Sequence, residues 1–183
     1  FAPQDYSRDQ LATAYDMLTN VLTDGGELVL VDVKEEAAKN AAAVTERIVA
    51  HLGSPATVGW TTDRRTALPE ADTVIVSAEV ERIRQWRLDW EIPQRFGIRH
   101  TLGENRGPAG LSHGLRTIPL ALQIGADIEE LAPDALVMIM TNPEDRIVYA
   151  LSRFTKLRSY GYCDGLWDFK KNYLGPAIGL PGE

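Results

Sequence analysis

Cys163 is the one cysteine of the chain, and Asp164 follows it directly at the end of an apolar run, Leu157-Arg158-Ser159-Tyr160-Gly161-Tyr162. A thiolate is a soft metal ligand and a carboxyl group can move a proton. The pair can therefore anchor a metal and supply an acid. It can equally be a packed thiol and a helix cap, and His51, His100 and His113 show no zinc-finger spacing around it. Asp32 lies at the end of the run Glu27-Leu28-Val29-Leu30-Val31-Asp32-Val33. An acid there can accept two hydrogen bonds from the adenine ribose of NAD and disfavours a 2′-phosphate, or it can cap the next helix. Asn142-Pro143 closes another apolar run. Pro143 stops strand pairing, which leaves Asn142 either to present its amide to a ligand or to make a plain turn. The stretch Gly103-Glu104-Asn105-Arg106-Gly107-Pro108-Ala109-Gly110 carries glycines and both charges. Loops of that kind shape sites, but no Gly-Lys-Ser/Thr follows, so it is not a nucleotide P-loop. Arg82, Arg84 and Arg87 precede it on one predicted helix. They can hold an anionic group or simply face solvent.

The elements that must position these residues follow from periodicity. Apolar residues at helical spacing predict a helix over 8–22, stopped by Asp24-Gly25-Gly26. A strand over 27–33 leads to an Ala-rich helix over 34–52, which Gly53 closes. A weaker strand over 56–60 and a strong one over 72–78, ending in Ala78, come next. Residues 79–96 are helical until Pro93, which bends or ends the helix. Residues 97–114 read as irregular, 115–131 as a long helix and 135–140 as a buried strand. A helix over 144–154 with Pro143 at its start, a strand over 157–162 and a short helix over 164–173 complete the order.

Strands alternating with helices predict an α/β fold: a Rossmann-type doubly wound parallel sheet with helices on both faces. Continuous Val/Ile/Leu runs suit strands covered on both sides. Such sheets bind ligands beyond the carboxyl ends of their strands, where Asp32, Ala78, Asn142 and Cys163 fall. No G-x-G-x-x-G occurs in the first forty residues, and the chain opens at Phe1 on what should be the first helix. The expectation is a partial NAD-binding domain spanning 1–183, with its first strand, its phosphate turn and a C-terminal domain outside this sequence.

The net charge of −7 argues against a nucleic-acid or anionic-membrane surface. No apolar run approaches the ~20 residues of a membrane span. The start has no basic segment followed by an apolar one, and one cysteine suits a reducing, cytoplasmic setting.

Three stretches in order carry a family resemblance. They are Asp89-Trp90-Glu91-Ile92-Pro93-Gln94-Arg95-Phe96-Gly97-Ile98, the Gly103 to Gly110 stretch, and Gly114-Leu115-Arg116-Thr117-Ile118-Pro119. Together with Pro133-Asp134-Ala135, Thr141-Asn142-Pro143 and a Cys after a strand, they resemble the NAD- and metal-dependent family 4 glycoside hydrolases. The family pattern is I-P-x-[KR]-[YF]-G-I, then G-[DE]-T-x-G-P-G-G, then L-R-T-I-P, and the resemblance covers about residues 27 to 165. The chain departs from it at Ile139, where the family has Asn, at Asn105 for Thr, at Ala109 for Gly, and at Gly165-Leu166 for Met-Pro.

What the resemblance implies is a glycosidase that uses NAD and Mn2+ or another divalent metal. The sugar is oxidised at C3, deprotonated at C2 and cleaved by elimination at C1. Asp32 and Ala78 would bind NAD. Asn142 would touch both cofactor and substrate, and Cys163 would ligate the metal. Asp164 would be the acid, and Glu104 and Asn105 would border the sugar. Arg84 and Arg87 would hold an anionic group on a 6-phospho or sulfo glycoside. The base, a Tyr in the family, and a metal-binding His would lie beyond Glu183. The partner is a small glycoside, and the expected assembly is a homodimer or homotetramer. An NAD-dependent 2-hydroxyacid dehydrogenase of lactate/malate type and a non-catalytic NAD-binding regulator are the alternative readings.

Overall fold

The computed structural model describes residues 21, 23–100, 104–163, 174 and 177–179. The predicted helices over 8–22 and 164–173, and Asp164 itself, lie essentially outside the described residues. The chain forms two compact units, which divide between Thr73 and Val74.

In the first unit, strand β1 (Glu27–Val31) pairs in parallel with β2 (Thr57–Thr61), and helix α1 (Glu35–Leu52) connects them. Helix α1 buries Ala38, Ala42 and Val49 on one face. Glu35 and Glu36 sit in its first turn, where the helix dipole favours acids. Gly53 ends it in the left-handed conformation (φ 65°), with Ser54 N donating to Val49 O at 3.0 Å. A one-turn helix α2 (Arg64–Ala67), which the sequence pattern does not signal, starts at Asp63, whose carboxylate accepts the Arg65 amide at 2.9 Å. The expectation of strands covered on both faces is only partly met here: Val29 and Val31 are exposed at 36% and 44%. Helix α1 packs on this pair of strands, and its buried residues are two alanines and one valine.

The second unit holds β3 (Thr73–Val76) from its second residue on, α3 (Arg82–Arg95), α4 (Gly107–Leu131), β4 (Leu136–Ile139), α5 (Glu144–Phe154) and β5 (Arg158–Gly161). Its strands lie in the order β3-β4-β5, and β4 and β5 run parallel. The central strand β4 buries Val137, Met138 and Ile139. With Ile128 of α4 and Ile147 and Leu151 of α5 they lie buried in the core. Each fully buried aliphatic side chain contributes about 1.5–3 kcal/mol of hydrophobic stabilisation.

One expectation needs correction. Residues 97–114 are not irregular throughout, because α4 begins at Gly107 and includes Pro108, Ala109, Gly110 and Gly114. Pro108 suits a first helical turn, since its missing N–H has no partner there in any helix. Ala109, Gly110 and Gly114 are buried in this helix, and Gly114 lies alongside Pro143. Pro93 stays within α3, which ends two residues later.

Gly125 of α4 faces Leu151 of α5. A Cβ there would lie 2.7 Å from Leu151 Cδ2, and Leu151 is itself buried. Gly125→Leu is expected to lower stability by about 1–3 kcal/mol through overpacking. A urea titration of variant against wild type checks this, and an unchanged midpoint would contradict it.

Candidate functional site

The ends of β3 and β4 are joined just past their last paired residues. Met140 N donates to Val76 O at 2.9 Å, and the buried Thr141 hydroxyl reaches both Val76 O (3.3 Å) and Ala78 O (3.0 Å). Tyr162 N donates to Ile139 O at 2.9 Å, which brings the end of β5 alongside. Ala78, Asn142 and Cys163 thus share the carboxyl edge of one sheet, where an open α/β sheet binds ligands. Thr141, which sequence reasoning passed over, locks the first two positions together. Its signal was faint: a hydroxyl residue before Asn-Pro, facing two carbonyls 63 and 65 residues away.

Asn142 leaves β4 through a cis peptide bond to Pro143. Its Nδ2 donates to Glu104 Oε2, and both side chains are part-buried. The other Glu104 oxygen, Oε1, is 3.6 Å from Arg82 Nη2, and Arg82 Nε is 3.6 Å from Glu79 Oε2. The two carboxylate side chains are only 12% and 16% exposed. Asn105, beside Glu104, is exposed. Of the three arginines picked out from the sequence, Arg82 therefore reaches the Asn142–Glu104 pair. Arg84 instead pairs with Glu81 on its own helix at 2.9 Å, and Arg87 is exposed on α3.

Behind the site, Asp89 of α3 is buried and accepts from both terminal nitrogens of the Arg116 guanidinium from α4, with Nη1 to Oδ1 at 3.0 Å. Arg116 also donates to Ser112 Oγ at 3.0 Å. Burial pushes the Asp89 carboxyl up, but the Arg116 and Ser112 hydrogen bonds and the Arg116 and His113 charges outweigh it and hold the pKa below the usual carboxylate range. This pair fixes α3 against α4 and so sets where Arg82 stands relative to Glu104. Tyr160, three residues before Cys163, is buried, and burial pushes its phenol up to about 12.

Cys163 is exposed. Among the described residues no group of three or more His, Cys, Asp and Glu gathers around a common point. Asp32 belongs to the first unit, at the end of β1. Its Oδ1 accepts the Lys34 amide at 2.8 Å, which turns the chain into α1. Its Oδ2 takes no donor among the described residues. No described helix is long and apolar enough to cross a membrane.

The sequence profile of the family 4 glycosyl hydrolases matches residues 15–173. The chain belongs to that family. An alpha-glucosidase of Erwinia rhapontici is 43% identical to this family 4 chain over 141 residues, covering 76% of it and 31% of the relative. A 6-phospho-beta-glucosidase of Escherichia coli is 38% identical over 121 residues, covering 65% and 26%. The family 4 chain thus spans about a third of the length of the curated relatives it matches. Its fold is similar to that of a 6-phospho-alpha-glucosidase from gut microorganisms solved with NAD and Mn2+. The TM-score is 0.72 at 20% identity, over 84% of this chain and 35% of that one. The Rossmann-type α/β expectation is met.

Proposed function

We propose that the protein carrying this chain is an NAD- and Mn2+-dependent glycosidase that acts on a small glycoside, neutral or anionic. The observation that carries the reading is the Asn142–Glu104 pair at the carboxyl edge of β4, beside the strand that delivers Cys163, in a chain of family 4.

The residues suit both groups. Asp32 offers Oδ2 to a ribose hydroxyl while Oδ1 is held by the backbone, and its charge opposes a 2′-phosphate. Cys163 offers one exposed thiol, a ligand type that binds divalent metals as thiolate. When bound, NAD supplies transient oxidation at the sugar C3, and the metal supplies Lewis acidity that makes the C2 proton removable. Asn142 and Glu104 orient sugar hydroxyls by hydrogen bonds. Asp164 gives a proton to the departing C1 oxygen.

With p-nitrophenyl α-D-glucopyranoside and its 6-phosphate as probes, the full protein is expected to require added NAD and Mn2+. It should also exchange the substrate C2 hydrogen with deuterated water during turnover. Undiminished turnover without NAD, or hydrolysis without C2 exchange, would contradict the reading. So would net NADH formation from malate or lactate with no metal requirement, which marks a 2-hydroxyacid dehydrogenase.

A further inference from the structure

We infer that Arg82 is a positioning residue that fixes which end of the Asn142 amide faces the ligand, acting through Glu104. An amide side chain has a donor end and an acceptor end that differ little in shape. Only its partners decide the orientation. Here the partner is a carboxylate, which accepts and does not donate, so Nδ2 must face Glu104. The acceptor end, Oδ1, is thereby turned away from Glu104, and no described residue donates to it. It is left to take an N–H or O–H from a ligand at the carboxyl edge of the sheet.

Glu104 holds that orientation only while it is itself held. It lies at the start of the segment leading into α4, with its side chain 12% exposed. A largely desolvated carboxylate without a cation relaxes toward water. Arg82 supplies that cation to Glu104 and at the same time to Glu79, so one guanidinium spans two shielded carboxylates at 3.6 Å each. The Arg82 side chain is 55% exposed, so its own cost of desolvation is small. The chain Glu79–Arg82–Glu104–Asn142 ties the turn after β3 to the turn after β4 without using either element's backbone. The consequence for specificity is that Asn142 reads a hydrogen-bond donor on the ligand, such as a sugar hydroxyl, and rejects an analogue in which that group is an ether or a fluorine.

The catalytic consequence rests on the glycosidase reading, whereas the orientation of the amide does not, and two readouts separate them. In full protein labelled with 15N-asparagine, the Asn142 side-chain NH2 resonances, assigned with Asn142→Asp, report the bond to Glu104. They are expected to be shifted downfield and protected from exchange in wild type and in Arg82→Lys, because a lysine keeps the point charge. In Arg82→Met and Glu104→Gln both signatures should be lost. With p-nitrophenyl α-D-glucopyranoside, NAD and Mn2+, Arg82→Met is expected to lower kcat by about 10–100-fold with KM changed less, as losing a supporting partner of a site residue does. Arg82→Lys should restore most of it. Asn142 resonances that are identical in wild type and Arg82→Met would overturn the inference whether or not the protein turns over. Their loss in Arg82→Met together with their retention in Arg82→Lys supports it even if the probe glycoside proves inert, an outcome that would count only against the glycosidase reading.

Discussion

Arg116→Met is expected to destabilise the protein by about 3–5 kcal/mol at neutral pH, because it leaves the Asp89 carboxylate buried and unpaired. The direction of the pH dependence makes the prediction specific. In wild type the Asp89 pKa lies below its unfolded value. The stabilisation from this group is therefore fully present above the unfolded pKa of about 3.9 and is lost as pH falls through the lower, folded value. Without Arg116, burial is the largest remaining influence, and it raises the carboxyl pKa instead. The variant's defect should then be largest at neutral pH and shrink as the solution is acidified below about pH 4. Denaturant titrations of wild type and Arg116→Met at the two pH values check this. A defect independent of pH would mean that Arg116 acts by packing alone. The double variant Asp89→Leu/Arg116→Met should recover most of the loss, since replacing both partners of a buried pair by apolar groups is often neutral.

Cys163→Ser is expected to reduce Mn2+-dependent turnover of the full protein by more than about 100-fold, beyond the 10–100-fold that loss of an outer partner of a metal site costs. The stability of the chain should hardly change, because the thiol is exposed and surface substitutions are usually worth within about 0.5 kcal/mol. That contrast is what gives the experiment its force: a loss of activity could not be put down to unfolding. NAD affinity should be retained, and the apparent Mn2+ affinity should fall along with the rate. A variant within about twofold of wild type at limiting Mn2+ would show that Cys163 is a bystander and would leave the metal to other residues.

Both changes act on residues whose importance is legible in the sequence to different degrees. Cys163 is conspicuous as the one cysteine, and the parallel pairing of β4 and β5 explains why it arrives at the same edge of the sheet as Asn142. Arg116 and Asp89 belong to the sequence patterns that carry the family resemblance, but nothing in those patterns says that the two form a buried ion pair across 27 residues. Arg82 was grouped with Arg84 and Arg87 as one basic face. The structure divides that face: Arg84 turns to Glu81, whereas Arg82 reaches Glu104. Three arginines within two turns of a helix point in different directions, and which of them meets a site depends on what packs opposite. The glycines of 103–114 read differently in the fold for a related reason. Glycine density signals flexibility in an isolated chain, but Gly110 and Gly114 lie inside a helix and are buried there, with Gly114 alongside Pro143.

The sequence by itself determined the alternation of helices and strands, the turn at Gly53, the start of α5 after Pro143 and the set of residues at strand ends. These are local properties, fixed by apolar periodicity, backbone freedom and the missing N–H of proline within a few residues of chain. Only the tertiary structure decided that Thr141 joins the ends of β3 and β4, that Glu104 rather than Asn105 meets Asn142, and that Arg82 is the arginine behind it. Those contacts link residues 22 to 65 positions apart. Hydrogen bonds and ion pairs of a few ångströms depend on how whole elements pack, and no short-range pattern in the chain encodes that placement.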